Sequence, residues 1–409
     1  MVSTILDGVA AVRMWGMLML AAAGACRGEP PRPPVASDIQ RMVDSLAPLI
    51  EDAVGLPYKE PPVSGLRSRD DVRRYIIAKL NQELPPEKLA GVQEAYRLFG
   101  LLPDTLELGP VITDLLSQQV VGFFDPDSAM LFVVEGSDPV QVRLVVAHEL
   151  VHALQGQYLP LASMLASKGD NDLSTAIQST LEGQANYASL VLFAGAATVS
   201  SPSFWEEVRR ASETATGTLP PGLPLLLKEW LLFPYLGGGE FMQWWETSAL
   251  ADTVPFGTRM PVSTEQILHP ARYLAGDVPV RMAFTDSTPD VMYQDNLGEF
   301  EIRILLATLT GRNTLKSALA LGWGGDRYRV YRTPSGSALV WYSVWDDARS
   351  ASRLRATLEQ AVGNSDRPGY RTRQDGIRID GRDAIRVVIA PEGWTAWRDL
   401  PAARILPPR

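Results

Sequence analysis

Histidine and cysteine are scarce in this chain of 409 residues, with three of the first and one of the second. A single cysteine excludes an internal disulfide, so folding must rest on apolar burial. Basic residues are also short, with 38 Lys and Arg against 47 Asp and Glu and a net charge of -9. That balance argues against a nucleic-acid partner, whose contact surfaces are basic. No internal repeat is present. What is abundant is ordinary: 46% hydrophobic and 21% charged residues, the composition of a globular protein. The length accommodates a sizeable core and roughly two or three domains.

The lone cysteine matters for its position. In "MWGMLMLAAAGAC", preceded by Arg13, a short apolar run leads through small residues to Cys26. This is the layout of a secretory signal. The run is too short for a membrane-spanning helix, which takes about 20 apolar residues. The ending "AAAGAC" resembles a bacterial lipobox, in which the cysteine becomes the lipidated first residue of the mature chain. Ala23 stands where leucine is usual, and Asp7 is foreign to such a segment, so Met14 or a later residue is an alternative start. A cleaved ordinary signal with a chance cysteine is the competing reading. Residues 1–26 are therefore expected to be a lipoprotein signal and 27–37, "RGEPPRPPVAS", a proline-rich tether. The expected location is the extracytoplasmic face of a bacterial envelope, on a lipid anchor at Cys26.

The body is expected to be α+β. A mainly helical zincin-like domain with a small β-sheet fills 38–297, and a smaller α+β region fills 298–409. Helical spacing marks 38–54 and 69–99, with the prolines at 85 and 86 ending the clearest stretch. "QQVVGFFDPDSAMLFVV" predicts a hairpin around "DPDS". Asp138 as cap, Pro139 as first residue and Gln141 three beyond the cap predict one helix over 139–157. Further helices are expected over 173–194, 204–213 and 223–250, the last interrupted by the glycines at 237–239. Ser263 is a plausible cap for "STEQILHPARYL". In the C-terminal region a helical stretch is expected over 305–323. A hairpin with a Pro-Ser-Gly turn follows over 328–345, then a helix over 346–363 and two strands around Asp380-Gly381. "GWGGDRY" has glycines but no phosphate-loop lysine, and is expected to be a turn with Asp326 and Arg327 in structural roles.

Two of the three histidines lie four residues apart in "VVAHELVHALQGQY", at His148 and His152. Residues i and i+4 of a helix share a face. Two imidazoles can therefore meet one ion, with Glu149 rotated about 100° from His148 and able to reach a water beside it. This HExxH pattern is a zinc site with the glutamate as general base. The flanking "VVA" and "AL" are apolar, and two imidazoles and a carboxylate buried there without partners would be costly. Catalytic zinc takes three protein ligands and an open position. Glu182, in "LEGQANY" on the following helix, is the expected third, with Gly183 and Ala185 allowing close helix approach. His269 is the rival, and Asp170 and Asp172 are weaker ones. Otherwise His269 is either a backbone-satisfied structural residue or an electrophile steadying an oxyanion. Tyr273 shares the electrophile role, and Tyr187 is a further candidate. Either strand of the hairpin could offer a free edge to an extended substrate.

HELVH followed by a glutamate on the next helix resembles the gluzincin class of zinc metallopeptidases. More narrowly, "GFFDPDSAMLFV", "VVAHELVHALQGQY", "LEGQANY" and "STEQILHP" are similar to a family of bacterial envelope proteins carried as metallopeptidases by assignment. The similarity covers residues 119–275 and extends weakly to "GWGGDRY" and "WDDARSA". It implies zinc on His148, His152 and Glu182, with Glu149 as base. The spacing from His152 to Glu182 is longer than in the best-known gluzincins. The function expected is zinc-dependent hydrolysis of peptide or protein substrates. The alternatives are a metal hydrolase of cell-wall amide bonds and an inactive lipid-anchored binding protein.

Overall fold

The computed structural model describes residues 35–165, 169–215, 220, 222–286, 288, 290–311, 318–362, 367–399 and 403–407. The expected signal, the Cys26 anchor and most of the tether lie outside the described residues. Among the described residues no helix is long and apolar enough to cross a membrane.

Helix α1 (Ala36–Val54) starts two residues inside the expected tether and buries Ile39, Val43, Leu46, Ala47 and Ile50 along one face. Strand β1 (Val63–Arg67) follows, which the sequence reading did not expect. The helical stretch expected over 69–99 is two helices, α2 (Arg69–Glu83) and α3 (Pro86–Leu98). They part at the two prolines because Pro86 lacks an N–H and suits only a first turn. Helix α4 (Leu108–Gln119), also unexpected, leads into the hairpin of β2 (Gly122–Asp125) and β3 (Met130–Val134). In its turn Asp125 accepts from Asp127 N (3.3 Å) and Ser128 Oγ (2.6 Å). These are the local bonds that make Asp a turn former. Strand β1 pairs parallel to β3, giving the order β1-β3-β2.

Helix α5 (Pro139–Tyr158) carries HELVH and starts as expected: the Asp138 carboxylate accepts from Val140 N and Gln141 N. Its apolar residues Val142, Val145, Val146 and Leu150 share a core with α1, Leu131 and Val133. After α6 (Leu161–Leu165), the long helix α7 (Asn171–Ala194) is buried over nearly its whole length. Helices α8 (Ala196–Val199), α9 (Pro202–Ala215) and α10 (Leu225–Glu246) complete this layer.

The glycines at 237–239 do not interrupt α10, which runs through them. Their purpose is contact. A Cβ at Gly238 would sit 1.9 Å from the Ser179 carbonyl oxygen, and one at Gly183 would sit 2.3 Å from the Gly238 backbone. Gly183 therefore admits α10, not the HELVH helix for which the sequence reading invoked it. Ala185 does face α5, in the same core as Val145 and Ala147. Gly238→Ala forces two backbones apart with no flexible side chain to yield. We expect it to cost about 1–3 kcal/mol or more, by the measure of overpacked cores, read as a lowered denaturation midpoint.

Short helices α11 (Thr264–Leu268) and α12 (Pro270–Leu274) follow, the Ser263 hydroxyl capping α11 at Gln266 N. Strand β4 (Met282–Ala283) pairs with β10 (Arg404–Ile405). The C-terminal region is built on β5 (Val291–Asp295), β6 (Trp323–Thr333), β7 (Gly336–Trp345), β8 (Tyr370–Ile379) and β9 (Arg382–Pro391). They form an antiparallel sheet in the order β5-β6-β7-β9-β8, with α13 (Gly298–Thr310) and α14 (Ala348–Val362) accompanying it. Since β5 pairs with β6, the sheet reaches ahead of residue 298. The apolar core of this region is continuous with that of α2, α3, α4 and α10.

Three details differ from expectation or sharpen it. The helix expected over 305–323 stops at Thr310, where Gly311 takes a left-handed φ of 63°. "GWGGDRY" is strand from Trp323 onward, with only Gly322 in a turn, because β6 absorbs Gly324 and Gly325 in a bulge between Trp323 and Gly325. Asp326 is structural, as expected: its carboxylate accepts from Leu297 N, Gly298 N and the indoles of Trp323 and Trp341. It thereby ties α13 to the sheet.

Candidate metal centre

Helix geometry puts His148 and His152 on one side of α5, and packing of α7 against α5 brings Glu182 to them. His148 Nε2 lies 3.1 Å from Glu182 Oε2 and 3.1 Å from His152 Nε2, and His152 Nε2 lies 3.5 Å from Glu182 Oε2. The three donor atoms thus form a nearly equilateral triangle. A tetrahedral ion with bonds of ~2.0–2.1 Å spaces its donors about 3.3 Å apart, so the triangle is of the right size. Among the described residues this is the one group of three His, Cys, Asp or Glu side chains whose ligand atoms converge within 4.8 Å.

The residues around the triangle set its protonation. His152 Nδ1 lies 2.8 Å from Gln155 Oε1. The Gln155 Nε2 donates to the Leu181 carbonyl and to Gln184 Oε1, both at 3.0 Å. A backbone carbonyl can only accept, so Gln155 must present its oxygen to the ring. That fixes the proton on Nδ1 and turns the Nε2 lone pair towards Glu182. Beside His148 stands Asn186, whose Nδ2 donates to the Tyr235 carbonyl (3.0 Å). Its side chain favours the charged form of the His148 ring. Tyr235 itself covers His148, with ring centroids 6.1 Å apart.

Two imidazole lone pairs and a carboxylate facing one point repel each other unless positive charge lies between them. The titration behaviour states the same requirement. Burial lowers the His148 imidazole's pKa, so it stays neutral. Burial also disfavours charge on His152, but the Glu182 carboxylate overcomes this and raises its pKa. Burial alone would raise Glu182, yet the two histidines, His152 foremost, hold it well below the usual range. Without an ion, a proton on His152, beside the Glu182 carboxylate, takes the cationic place. The donor set, one carboxylate and two imidazoles with the His152 tautomer fixed by Gln155, suits Zn2+.

Glu149 lies on the flank of α5 nearer the hairpin, and the Phe124 amide donates to its Oε2 at 2.8 Å. Burial raises this carboxyl's pKa to about 8, and positive charge placed beside it brings the value down. Phe124 belongs to β2. Strand β3 is paired on both sides, so of the two strands expected to offer an edge only β2 can do so, and its Phe124 N–H already faces the centre.

The other candidates have bonds of their own. His269 Nε2 is 3.0 Å from Glu299 Oε1 and 2.8 Å from Arg303, on α13, and is not in the three-residue cluster. Since arginine only donates, His269 accepts at Nε2 there. Tyr273 donates to the Arg259 carbonyl (2.9 Å) and packs among Phe241, Trp244 and Trp245. The Tyr187 hydroxyl meets Ser200 Oγ at 2.8 Å. Asp170 caps α7, and Asp172 accepts from Thr264 N and Thr264 Oγ1. Each of the five thus has a partner outside the triangle. Gln155, Asn186 and Tyr235 were not singled out from the sequence. The spacing of Gln155 three residues after His152 was the available signal, since it places an amide one helical turn from the ring.

Residues 289–398 match the profile of a family described as a domain of unknown function (DUF8575). That stretch contains β5 to β9 and none of the residues of the centre. No curated protein and no solved structure matches the chain.

Gln155→Leu keeps volume and removes the Nδ1 acceptor. We expect zinc affinity to fall about 10–100-fold, the usual effect of losing a ligand's supporting bond, as measured by competition with a chromogenic chelator.

Proposed function

We propose that this protein is a zinc-dependent peptide hydrolase. The observation that carries the reading is the triangle of His148, His152 and Glu182 with Glu149 adjacent to it. A site needing zinc only for structure closes all four positions with protein ligands, whereas three converge here and the neighbour of the first is a carboxylate suited to move protons.

His148, His152 and Glu182 would hold the ion. Bound there, zinc supplies Lewis-acid polarisation and lowers a water's pKa towards ~7. Glu149 then takes the proton of the attacking water and returns it to the departing amine, as general base and acid. The Phe124 amide keeps one oxygen of Glu149 in place through that transfer. Burial raises this carboxyl's pKa and a cation beside it would bring it down again, towards the operating pH at which a base transfers protons most efficiently. The free side of β2 offers backbone groups to an extended peptide.

The test is zinc-dependent cleavage of a mixed peptide library by the full chain, run beside muropeptides. Cleavage of library peptides supports the reading. Cleavage of muropeptides alone would transfer the site to cell-wall amide hydrolysis, and zinc binding without any hydrolysis would leave a binding protein.

We further propose that the activity is displayed on a lipid anchor at Cys26. Cys26→Ser should shift the protein from the membrane fraction to the soluble one, as followed by immunoblot. An unchanged distribution counts against the anchor.

A further inference from the structure

Gln178 is 1% exposed, and neither Oε1 nor Nε2 of its carboxamide has a hydrogen-bond partner. Buried polar groups are nearly always paired, and each exception calls for an explanation such as a water, an ion or a functional role. Replacing the carboxamide by an apolar group of like size would remove the desolvation penalty at once, so stability alone does not account for it.

Its location suggests the reason. Gln178 precedes Glu182 by four residues in α7, so the two side chains share a helix face with Cβ atoms about 5–6 Å apart. On the same helix Asn171 donates to Glu301, Ser179 to the Thr175 carbonyl and Asn186 Nδ2 to the Tyr235 carbonyl, and Gln184 accepts from Gln155, so Gln178 is the side chain there with both ends of its carboxamide unpartnered. Ile177 and Leu181, which flank Gln178 along the helix, share an apolar cluster with Phe124 of the free strand β2. Glu149 and Glu182, at 2% and 1% exposed, are as enclosed as Gln178. The carboxamide and the centre are thus enclosed along one helix face, a single turn apart.

A carboxamide presents one acceptor and two donors side by side, the complement of a peptide group. We propose that Gln178 is a substrate-binding residue. Its Nε2 donates to a backbone carbonyl, and its Oε1 accepts from a backbone N–H, of the peptide held at the centre. This inference rests on the peptidase reading.

Gln178→Leu tests it in the full chain, with three probes: zinc, acetohydroxamate, and an N-acyl-leucyl hydroxamate. Acetohydroxamate engages the centre alone, and the leucyl compound adds peptide backbone. The variant should bind one zinc and acetohydroxamate as the parent does, melt at the same temperature or higher, and bind the leucyl hydroxamate about 10-fold or more weakly. Equal binding of the leucyl compound by parent and variant would overturn the inference, and so would loss of zinc from the variant, which would make Gln178 a support of the metal site. A parent that binds neither zinc nor either hydroxamate would remove the peptidase reading itself, and the inference with it. Should the leucine form fail to fold, Gln178→Met, unbranched like glutamine, is read in the same way.

Discussion

Glu149→Gln should abolish peptide cleavage almost entirely while leaving zinc bound. The substitution is isosteric, and glutamine can still receive the Phe124 amide bond on its carbonyl oxygen. What is lost is the ability to take up a proton at neutral pH. Positioned acid–base groups contribute about 10²–10⁴-fold, so kcat should fall by that factor with KM little changed, the pattern of an interaction made only in the transition state. Metal analysis of the same preparation should still give one zinc per chain. Cleavage at the parental rate would show that another group moves the proton. Loss of zinc would show that the carboxylate serves the ion and not the water.

Removal of a donor from the triangle should have an equally large effect of a different kind. His148→Ala and Glu182→Ala each leave two donors, and each also unmakes the charge balance that the site depends on. Zinc affinity should fall by more than the ~10–100-fold given for the supporting Gln155. The parent protein should gain stability with zinc in proportion to the logarithm of its concentration, about 2.7 kcal/mol at a hundredfold excess over Kd. The two variants should show no such gain. The readout is the denaturation midpoint across a zinc titration, with a chelator as the reverse arm. If Glu182→Ala keeps both the affinity and the zinc-dependent stabilisation, the third ligand is another residue. His269 is the first to examine, although Arg303 donates to it in this structure.

Local signals fared unevenly, and the differences have physical causes. The prolines at 85 and 86 divide one helical pattern into two because the absent N–H acts within a single turn. The glycine triplet at 237–239 misled for the opposite reason. In an exposed helix such a run would melt it, since glycine costs about 1 kcal/mol relative to alanine. Here it is buried: Gly238 lets α10 meet Ser179 and Gly183 of α7, and Gly237 and Gly239 make room for Phe233 and Trp205. Strand β1 gave no clear alternation, and its parallel pairing with β3 bridges a long stretch of chain.

The sequence by itself determined that His148, Glu149 and His152 share one helix. The Asp138 cap, the proline after it and the 3.6-residue period all act within a few residues, and the i, i+4 geometry holds whatever surrounds the helix. It likewise determined the hairpin ahead of that helix, through the bonds of Asp125 within its own turn. Only the tertiary structure decided that Glu182 completes the triangle, that Gln155 supports His152, and that His269 and Tyr273 have other partners. Those facts depend on how α5, α7 and α10 pack, and packing selects among many side chains of suitable chemistry by distances that no local pattern encodes.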